Sequence, residues 1–130
     1  MRKALPTTSE LEILQVIWKR GPSTVRDVYR TLAADRAIGY STVLKLMQIM
    51  TDKGTLVRDA TVRPQVYRAA RPQRDTQRGL IRDLVARAFG GSSVTLVMQA
   101  LADHKATADE RRDIRAVLDG LGDKKQGKKK

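Results

Sequence analysis

The stretch that most constrains the fold is IGYSTVLKLMQIMTDKGTLV, which runs from Ile38 to Val57. Its apolar residues recur at three- and four-residue steps as far as Met50, which is the spacing of an amphipathic helix. A Lys-Gly pair then precedes TLVRDA, where the pattern becomes that of a strand. A helix that ends at a glycine and leads directly into a strand predicts a fold in which a short hairpin follows a helical unit.

Two further helices are predicted before this stretch. Thr7 and Glu10 have the spacing of a capping box, and the helix that they begin should end at Gly21. A second helix is expected to begin at Ser23 or Thr24. The apolar residues expected to form one small core from the three helices are Leu11, Leu14, Ile17, Trp18, Val25, Val28, Tyr29, Leu32, Val43, Leu46, Met47 and Met50.

The outer face of the third helix is polar and nearly free of acidic residues until its last turn. A helix that only faces solvent usually carries Glu–Lys pairs, although an ordinary surface helix remains an alternative here. Ser, Thr, Lys and Gln can form hydrogen bonds with base edges or phosphates, and a Leu can contact a thymine methyl group. The candidate base-contacting residues are Ser41, Thr42, Leu44, Lys45 and Gln48.

The segments TLVRDA and QVYRAA predict two strands joined by a turn at TVRP. Three helices followed by a basic hairpin is the order of a winged helix-turn-helix module, in which the third helix enters the major groove and the hairpin, or wing, contacts the DNA backbone. Arg58, Arg63 and Arg68 are therefore candidates for phosphate contact, although each alone could be a solvated charge.

The second half of the chain predicts three more amphipathic helices, which are too short to form a stable core alone. Pairing with a second copy would bury their apolar stripes, so we expect a dimerisation region; folding back onto the N-terminal domain is the alternative. The expected dimerisation residues are Leu80, Ile81, Leu84, Val85, Val97, Met98, Leu101, Ile114, Val117, Leu118 and Leu121.

These patterns predict a mainly α protein with a small β-hairpin and three regions. Residues 1–70 form a winged-helix DNA-binding domain, and residues 71–121 form a helical dimerisation domain. Residues 122–130 contain five lysines and no large apolar side chain, so they are expected to form a disordered tail. The tail could attract DNA non-specifically or merely increase solubility.

The charge balance favours a polyanionic partner. Lys and Arg number 26 against 14 Asp and Glu, a net charge of +12. Nucleic acid is the first choice, because the helices lack the basic face opposite Trp and Phe that suits a membrane surface. The sequence has no apolar run long enough to span a bilayer and no secretory signal at its start, so we expect a cytoplasmic protein without membrane insertion.

The inventory of reactive side chains argues against an enzyme. The chain has no cysteine, so it cannot form a thiolate zinc site. Its one histidine, His104, has no second histidine with which to complete a site. No Gly-rich phosphate loop accompanies the carboxylates. We expect no metal and no cofactor. Two alternatives to a sequence-specific regulator remain, an architectural nucleic-acid binder and a winged helix used for protein contact.

Four segments carry a family resemblance: TTSELEILQVIWKRGPSTVRDVYRTL, GYSTVLKLMQIMTDKGTLVRD, VYRAARP and LVARAFGGSSVTLVMQAL. In order and spacing they resemble the penicillinase and methicillin-resistance repressors of bacteria (the BlaI/MecI/CopY family). The resemblance implies a homodimeric repressor of a palindromic double-stranded DNA operator, with β-lactam resistance genes as its targets. The copper-responsive branch uses a C-terminal cysteine cluster, which this chain lacks.

The same resemblance implies a way to end repression. A membrane-bound sensor protease triggers cleavage within the dimerisation helices of the family. The staphylococcal members are cut at an Asn-Phe pair, and the matching position in this sequence is Gln99-Ala100.

Overall fold

The structure, a computed structural model, describes the backbone of residues 5–128 and the side chains of residues 5–122. In this part of the chain the elements are, in order, α1 (Thr8–Arg20), α2 (Val25–Ala33), α3 (Tyr40–Asp52), β1 (Leu56–Asp59), β2 (Val66–Ala69), α4 (Gln73–Ala88), α5 (Ser93–Asp103) and α6 (Ala108–Lys128). The predicted mainly α fold with a small β-hairpin is confirmed.

The chain divides into two compact units after Arg82, within α4. The first turns of α4 belong to the first unit, where Gly79 approaches the N-terminal segment. A Cβ atom placed on Gly79 would lie 3.9 Å from Leu5 Cδ2, which is ordinary van der Waals contact. The first unit therefore contains three helices, the hairpin and the beginning of a fourth helix.

The core of the first unit is closed by α3. Val43, Met47 and Met50 are fully buried, as the helical spacing predicted, and Leu46 is half-buried at its edge. Ile13 and Val16 of α1 are also buried, although they were not expected in the core. The buried face of α1 is broader because α1 packs against β2 as well as against α2 and α3.

The hairpin is fixed to the turn between α1 and α2. Ser23 N–H donates to the Tyr67 carbonyl at 2.9 Å, and Tyr67 N–H donates to the Ser23 carbonyl at 2.8 Å. The Ser23 side chain is buried and donates to the Gly21 carbonyl at 2.7 Å. Leu56 and Tyr67 then fill the core side of the hairpin. These contacts set the position of the wing relative to the helices.

An ion pair joins the first turn of α1 to the end of α3. Lys53 Nζ lies 2.9 and 3.1 Å from the two carboxylate oxygens of Glu10, which is buried. Glu10 also completes the predicted capping box, because its Oε1 accepts the Thr7 N–H at 3.1 Å. Gly54 follows with φ +83°, a conformation that favours glycine, and the chain turns into β1.

The second unit is formed by the remainder of α4 together with α5 and α6. The predicted caps are present: Ser92 Oγ accepts the Thr95 N–H, and Thr107 and Glu110 form reciprocal hydrogen bonds. No residue between 83 and 122 is buried. The helices of this unit are therefore locally well capped but lack an internal core within the described side chains.

The end of the chain differs from the expected disordered tail. The backbone of α6 continues to Lys128, through most of the lysine-rich segment. Lysine and glutamine have good helix propensity, and lysines near a helix C-terminus interact favourably with the helix dipole. No single helix among the described residues has the length and apolar content required to cross a membrane.

Replacing Lys53 by Met should lower the free energy of unfolding by about 2 kcal/mol, because the Glu10 carboxylate would remain buried without its cation. This value is below that of a fully buried pair, since 31% of the Lys53 side chain is exposed. Urea unfolding measures the change. Lys19→Met, at an exposed position of α1, is the control. Equal losses in the two variants would contradict a stabilising role for the pair.

Candidate nucleic-acid interface

The outer face of α3 carries the polar residues selected from the sequence. Ser41, Thr42, Lys45 and Gln48 are all exposed on it, whereas Leu44 is half-buried and packs against the core. These side chains project from a helix whose opposite side carries the buried Val43, Met47 and Met50, so the packing of α3 sets the direction of its polar face. The face offers hydroxyl, amide and ammonium groups for hydrogen bonding, which suits the base edges of a major groove.

A groove of about 630 Å³ lies beside the N-terminal end of this face. It is bounded by the first turn of α2, the first turns of α3 and the loop of the wing. Arg26 of α2 and Arg63 of the wing loop line it, together with Tyr40 and Leu44 of α3. Positive side chains from two separate elements thus line one groove that begins at the candidate recognition helix.

Tyr40, the first residue of α3, is held by two neighbours. The Arg26 guanidinium carbon lies 5.5 Å from the centre of the Tyr40 ring, within the range of a cation–π interaction. Tyr29 meets the same ring edge-on, with centroids 5.7 Å apart and an interplanar angle of 76°. The helical spacing predicts Tyr29 in the core but gives no signal for Arg26 or Tyr40, because only the tertiary packing of α2 against α3 brings them together.

The three wing arginines do not form one cluster. Strand pairing sets Arg58 opposite Tyr67 and Val57 opposite Arg68, so Arg58 and Arg68 project from opposite faces of the hairpin. Both are exposed. Arg63, in the loop, is the one of the three that lines the groove. The sequence shows that these arginines belong to one hairpin. The face of the hairpin from which each one projects depends on the strand register, which the sequence does not give.

Two carboxylates, Asp27 in the lining of the groove and Asp59 in the wing, accept local hydrogen bonds. Asp27 Oδ2 accepts the Thr24 N–H at 3.0 Å, which is the main reason why the pKa of Asp27 lies below its ordinary value; the Arg20 guanidinium, 3.5 Å away, contributes too. In the wing, the hydroxyl and then the amide of Thr61 hold the pKa of Asp59 below its ordinary value. Both acids are therefore tied to neighbouring hydrogen-bond donors.

Most of the expected dimerisation residues are exposed apolar side chains; Leu80 and Ile81 belong to the first unit and the others to the second. Leu80, Val85 and Ile114 are half-buried, and the others are exposed. On α5 the exposed residues lie one helical turn apart, and Met98 is 64% exposed. The exposed members of the set are Ile81, Leu84, Val97, Met98, Leu101, Val117, Leu118 and Leu121.

The remaining candidate positions lie in the same unit. Gln99 and Ala100 are both exposed in α5. His104 caps that helix, and its Nε2 lies 3.5 Å from Glu110 Oε1. Within the described residues no three His, Asp or Glu side chains are grouped so that they could hold a metal ion.

Three helices followed by a two-stranded wing, with a polar outer face on the third helix, define a winged helix-turn-helix protein. The chain belongs to the penicillinase repressor family, whose model matches residues 6–120. Among solved structures, the Bacillus licheniformis BlaI monomeric form in complex with the blaP half-operator is similar, with a TM-score of 0.50 and 23% identity over 57% of this chain and 90% of that chain. At that identity the likeness shows the fold. Comparison with curated proteins gave no match.

Asp27→Asn should lower the free energy of unfolding by about 0.5–1 kcal/mol at neutral pH, because Asp27 completes the cap of α2. The folded pKa of Asp27 lies below its ordinary value of 3.8, so the carboxylate stabilises the fold above that pH and the contribution is lost as the pH falls through the folded pKa. The difference between wild type and variant should therefore shrink in acid.

Urea unfolding of both proteins near neutrality and in the acid range measures this difference. Asp35→Asn removes one exposed negative charge outside the cap and controls for the change in net charge. A destabilisation by Asp27→Asn that stays constant across the pH range would contradict the assignment.

Proposed function

We propose that this protein is a dimeric transcriptional repressor that binds a palindromic DNA operator, with a β-lactam resistance gene as the target indicated by its family. The observation that carries the proposal is the polar outer face of α3, which continues into a groove lined by Arg26 and Arg63. A family model that spans residues 6–120 supports a repressor, and the BlaI relative is described in complex with a half-operator.

The base-reading role falls to residues of α3. Lys45 can donate to guanine O6 and N7, Gln48 can pair with adenine, and Ser41 and Thr42 can contact several base edges. Leu44 can contact a thymine methyl group from its half-buried position. Each well-formed contact of this kind is worth roughly 1–3 kcal/mol of discrimination between bases. These residues therefore supply sequence preference.

The affinity that does not depend on sequence would come mainly from phosphate contacts. Arg63 faces the groove, whereas Arg58 and Arg68 project from the two faces of the wing and can reach the backbone only on their own sides. The net charge of +12 favours association with DNA at low salt. Binding should weaken as salt rises, because each phosphate contact releases counterions.

The exposed apolar face of the second unit supports a homodimer. Eight large apolar side chains between residues 83 and 122 are exposed in the single chain, and no side chain there is buried. If this face packed against the same face of a second copy, its apolar side chains would be removed from water and would form the core that this unit lacks. Two recognition helices related by a two-fold axis would then read the two halves of an inverted repeat.

Cleavage of the Gln99–Ala100 bond, triggered by a membrane-bound sensor protease, is our proposal for the end of repression. Both side chains are exposed, and the bond lies between Met98 and Leu101 of the apolar face. Cleavage there would divide the face and weaken the dimer. A fragment that begins at Ala100 in induced cells, identified by N-terminal sequencing, is the expected product.

The first experiment is selection of bound duplexes from a random DNA pool at near-physiological salt. An inverted repeat with half-sites about one helical turn apart is expected. No enriched sequence, together with binding that falls as salt rises, would instead favour an architectural nucleic-acid binder.

On the selected duplex, Lys45→Ala should weaken binding by roughly 10-fold or more, and it should affect a scrambled duplex much less. Arg63→Ala should weaken binding to both duplexes alike, because phosphates are the same in each. Titration by fluorescence anisotropy measures the four affinities. If both variants lost the same factor on both duplexes, the division between base reading by α3 and backbone contact by the wing would be wrong.

Met98→Asp should convert the dimer to a monomer at micromolar concentration, because it places a charge in the centre of the apolar face. Sedimentation equilibrium measures the mass. Gln99→Asp is the matched control, since the adjacent residue points about 100° away around α5 and should leave the dimer intact. A Met98→Asp protein with the wild-type mass would place the interface elsewhere.

A further inference from the structure

We infer that the groove between α2, α3 and the wing holds the sugar-phosphate backbone of one DNA strand, with Arg26 and Arg63 as its two phosphate ligands and Tyr40 as the residue that positions Arg26. The inference rests on the proposed DNA-binding function and adds Arg26 of α2, which neither the recognition helix nor the wing supplies. It also states where on α3 the DNA is anchored.

The geometry of the groove fits a polyanionic strand. Two long cationic side chains line it, Arg26 from the first turn of α2 and Arg63 from the wing loop. Pro64 and Gln65 continue the wing wall. A guanidinium group from each of two elements that line the groove can donate to a phosphate oxygen with the planar geometry that suits such contacts.

Tyr40 gives Arg26 a fixed place. A free arginine side chain must lose considerable rotamer freedom when it binds a phosphate. Here the guanidinium already lies over the Tyr40 ring at 5.5 Å, and Tyr29 supports that ring from the side. A cation–π contact occupies the face of the guanidinium and leaves its N–H edges available to donate. Tyr40 therefore acts through Arg26.

The acid that lines the groove does not oppose this arrangement. Asp27 is next to Arg26 in sequence, but its carboxylate accepts the Thr24 N–H and lies 3.5 Å from the Arg20 guanidinium. Its negative charge is thus partly compensated by Arg20 and by the N-terminus of α2. Arg26 has no carboxylate within ion-pair distance among the described residues, so it is available for a phosphate.

The position of the groove on α3 determines which residues of that helix lie nearest the bound strand. Tyr40 begins α3, and Gln48 lies eight residues later, about 12 Å further along the helix axis at 1.5 Å per residue. The strand held in the groove therefore passes the N-terminal turns of α3. Ser41 and Thr42 should contribute more to sequence preference than Gln48 does.

The test measures the affinity of the full-length protein for its selected duplex at a series of salt concentrations. Arg26→Gln should weaken binding roughly tenfold and reduce the slope of log K against log salt by about 0.9 per subunit, the value of one lost phosphate contact. Tyr40→Leu should reduce the slope similarly, whereas Tyr40→Phe keeps the ring and should retain the wild-type slope. Arg30→Gln is the control, since Arg30 is exposed on the same face of α2 but outside the groove.

The double variant separates positioning from a general structural effect. Because Tyr40 acts through Arg26, Tyr40→Leu added to Arg26→Gln should cause little further loss of affinity or slope. Phosphate-ethylation interference should show one position per half-site whose modification impairs wild-type binding but no longer affects Arg26→Gln. Circular dichroism melting of each variant checks that the fold is intact.

Three outcomes would overturn the inference. An Arg26→Gln slope equal to that of Arg30→Gln would exclude Arg26 as a phosphate ligand. A Tyr40→Leu protein with lower affinity but an unchanged slope, or with losses that add to those of Arg26→Gln, would exclude positioning through Arg26. A wild-type protein that binds no duplex would overturn the proposed function itself, whereas the first two outcomes leave that function standing.

Discussion

The ion pair between Glu10 and Lys53 is the constraint on which the geometry of the first unit depends. It connects the beginning of the first helix with the residue at which α3 ends and the chain turns toward the wing. A buried carboxylate is costly unless it is paired, so the pair favours one arrangement of α1 relative to the end of α3. Gly54 then allows the reversal into β1, and the Ser23–Tyr67 bridge fixes the second strand of the hairpin. Two separate attachments, one ionic and one of backbone hydrogen bonds, thus hold the wing beside α3.

The small core of the first unit also fixes the orientation of α3, and with it the direction of the polar face. The buried side of α3 carries Val43, Met47 and Met50, and close packing there leaves little freedom for the helix to rotate. The polar residues on the opposite side therefore leave the helix in fixed directions, while their exposed side chains can still change rotamer. The groove beside them is formed by parts of the chain that lie far apart in sequence, with Arg26 on α2 and Arg63 on the wing. A polyanion that lies along the groove would contact a largely preformed site, which reduces the entropic cost of binding.

The second unit differs from the first because none of its described side chains is buried. Its helices are capped by Ser92 and by the Thr107–Glu110 box, so their ends are well defined. Yet its apolar side chains remain exposed in the single chain, which leaves burial to an interaction with another surface. In the proposed dimer, folding of this region and association would be coupled, and DNA affinity would depend on protein concentration. Any event that disrupts the apolar face would then weaken operator binding without touching the recognition helix.

The sequence by itself determined the elements of this protein and most of their limits. Capping residues, glycine stops and the change from a helical to a strand period are local signals, so the helices, the hairpin and the buried face of α3 followed from them; the family resemblance was confirmed by the match over residues 6–120. The broader buried face of α1, the opposite faces of Arg58 and Arg68, and the continuation of α6 to Lys128 did not follow. Only the tertiary structure decided that Arg26, Tyr40 and Arg63 share one groove, because that depends on strand register and on the packing of α2 against α3, contacts between residues distant in the chain that no local pattern records.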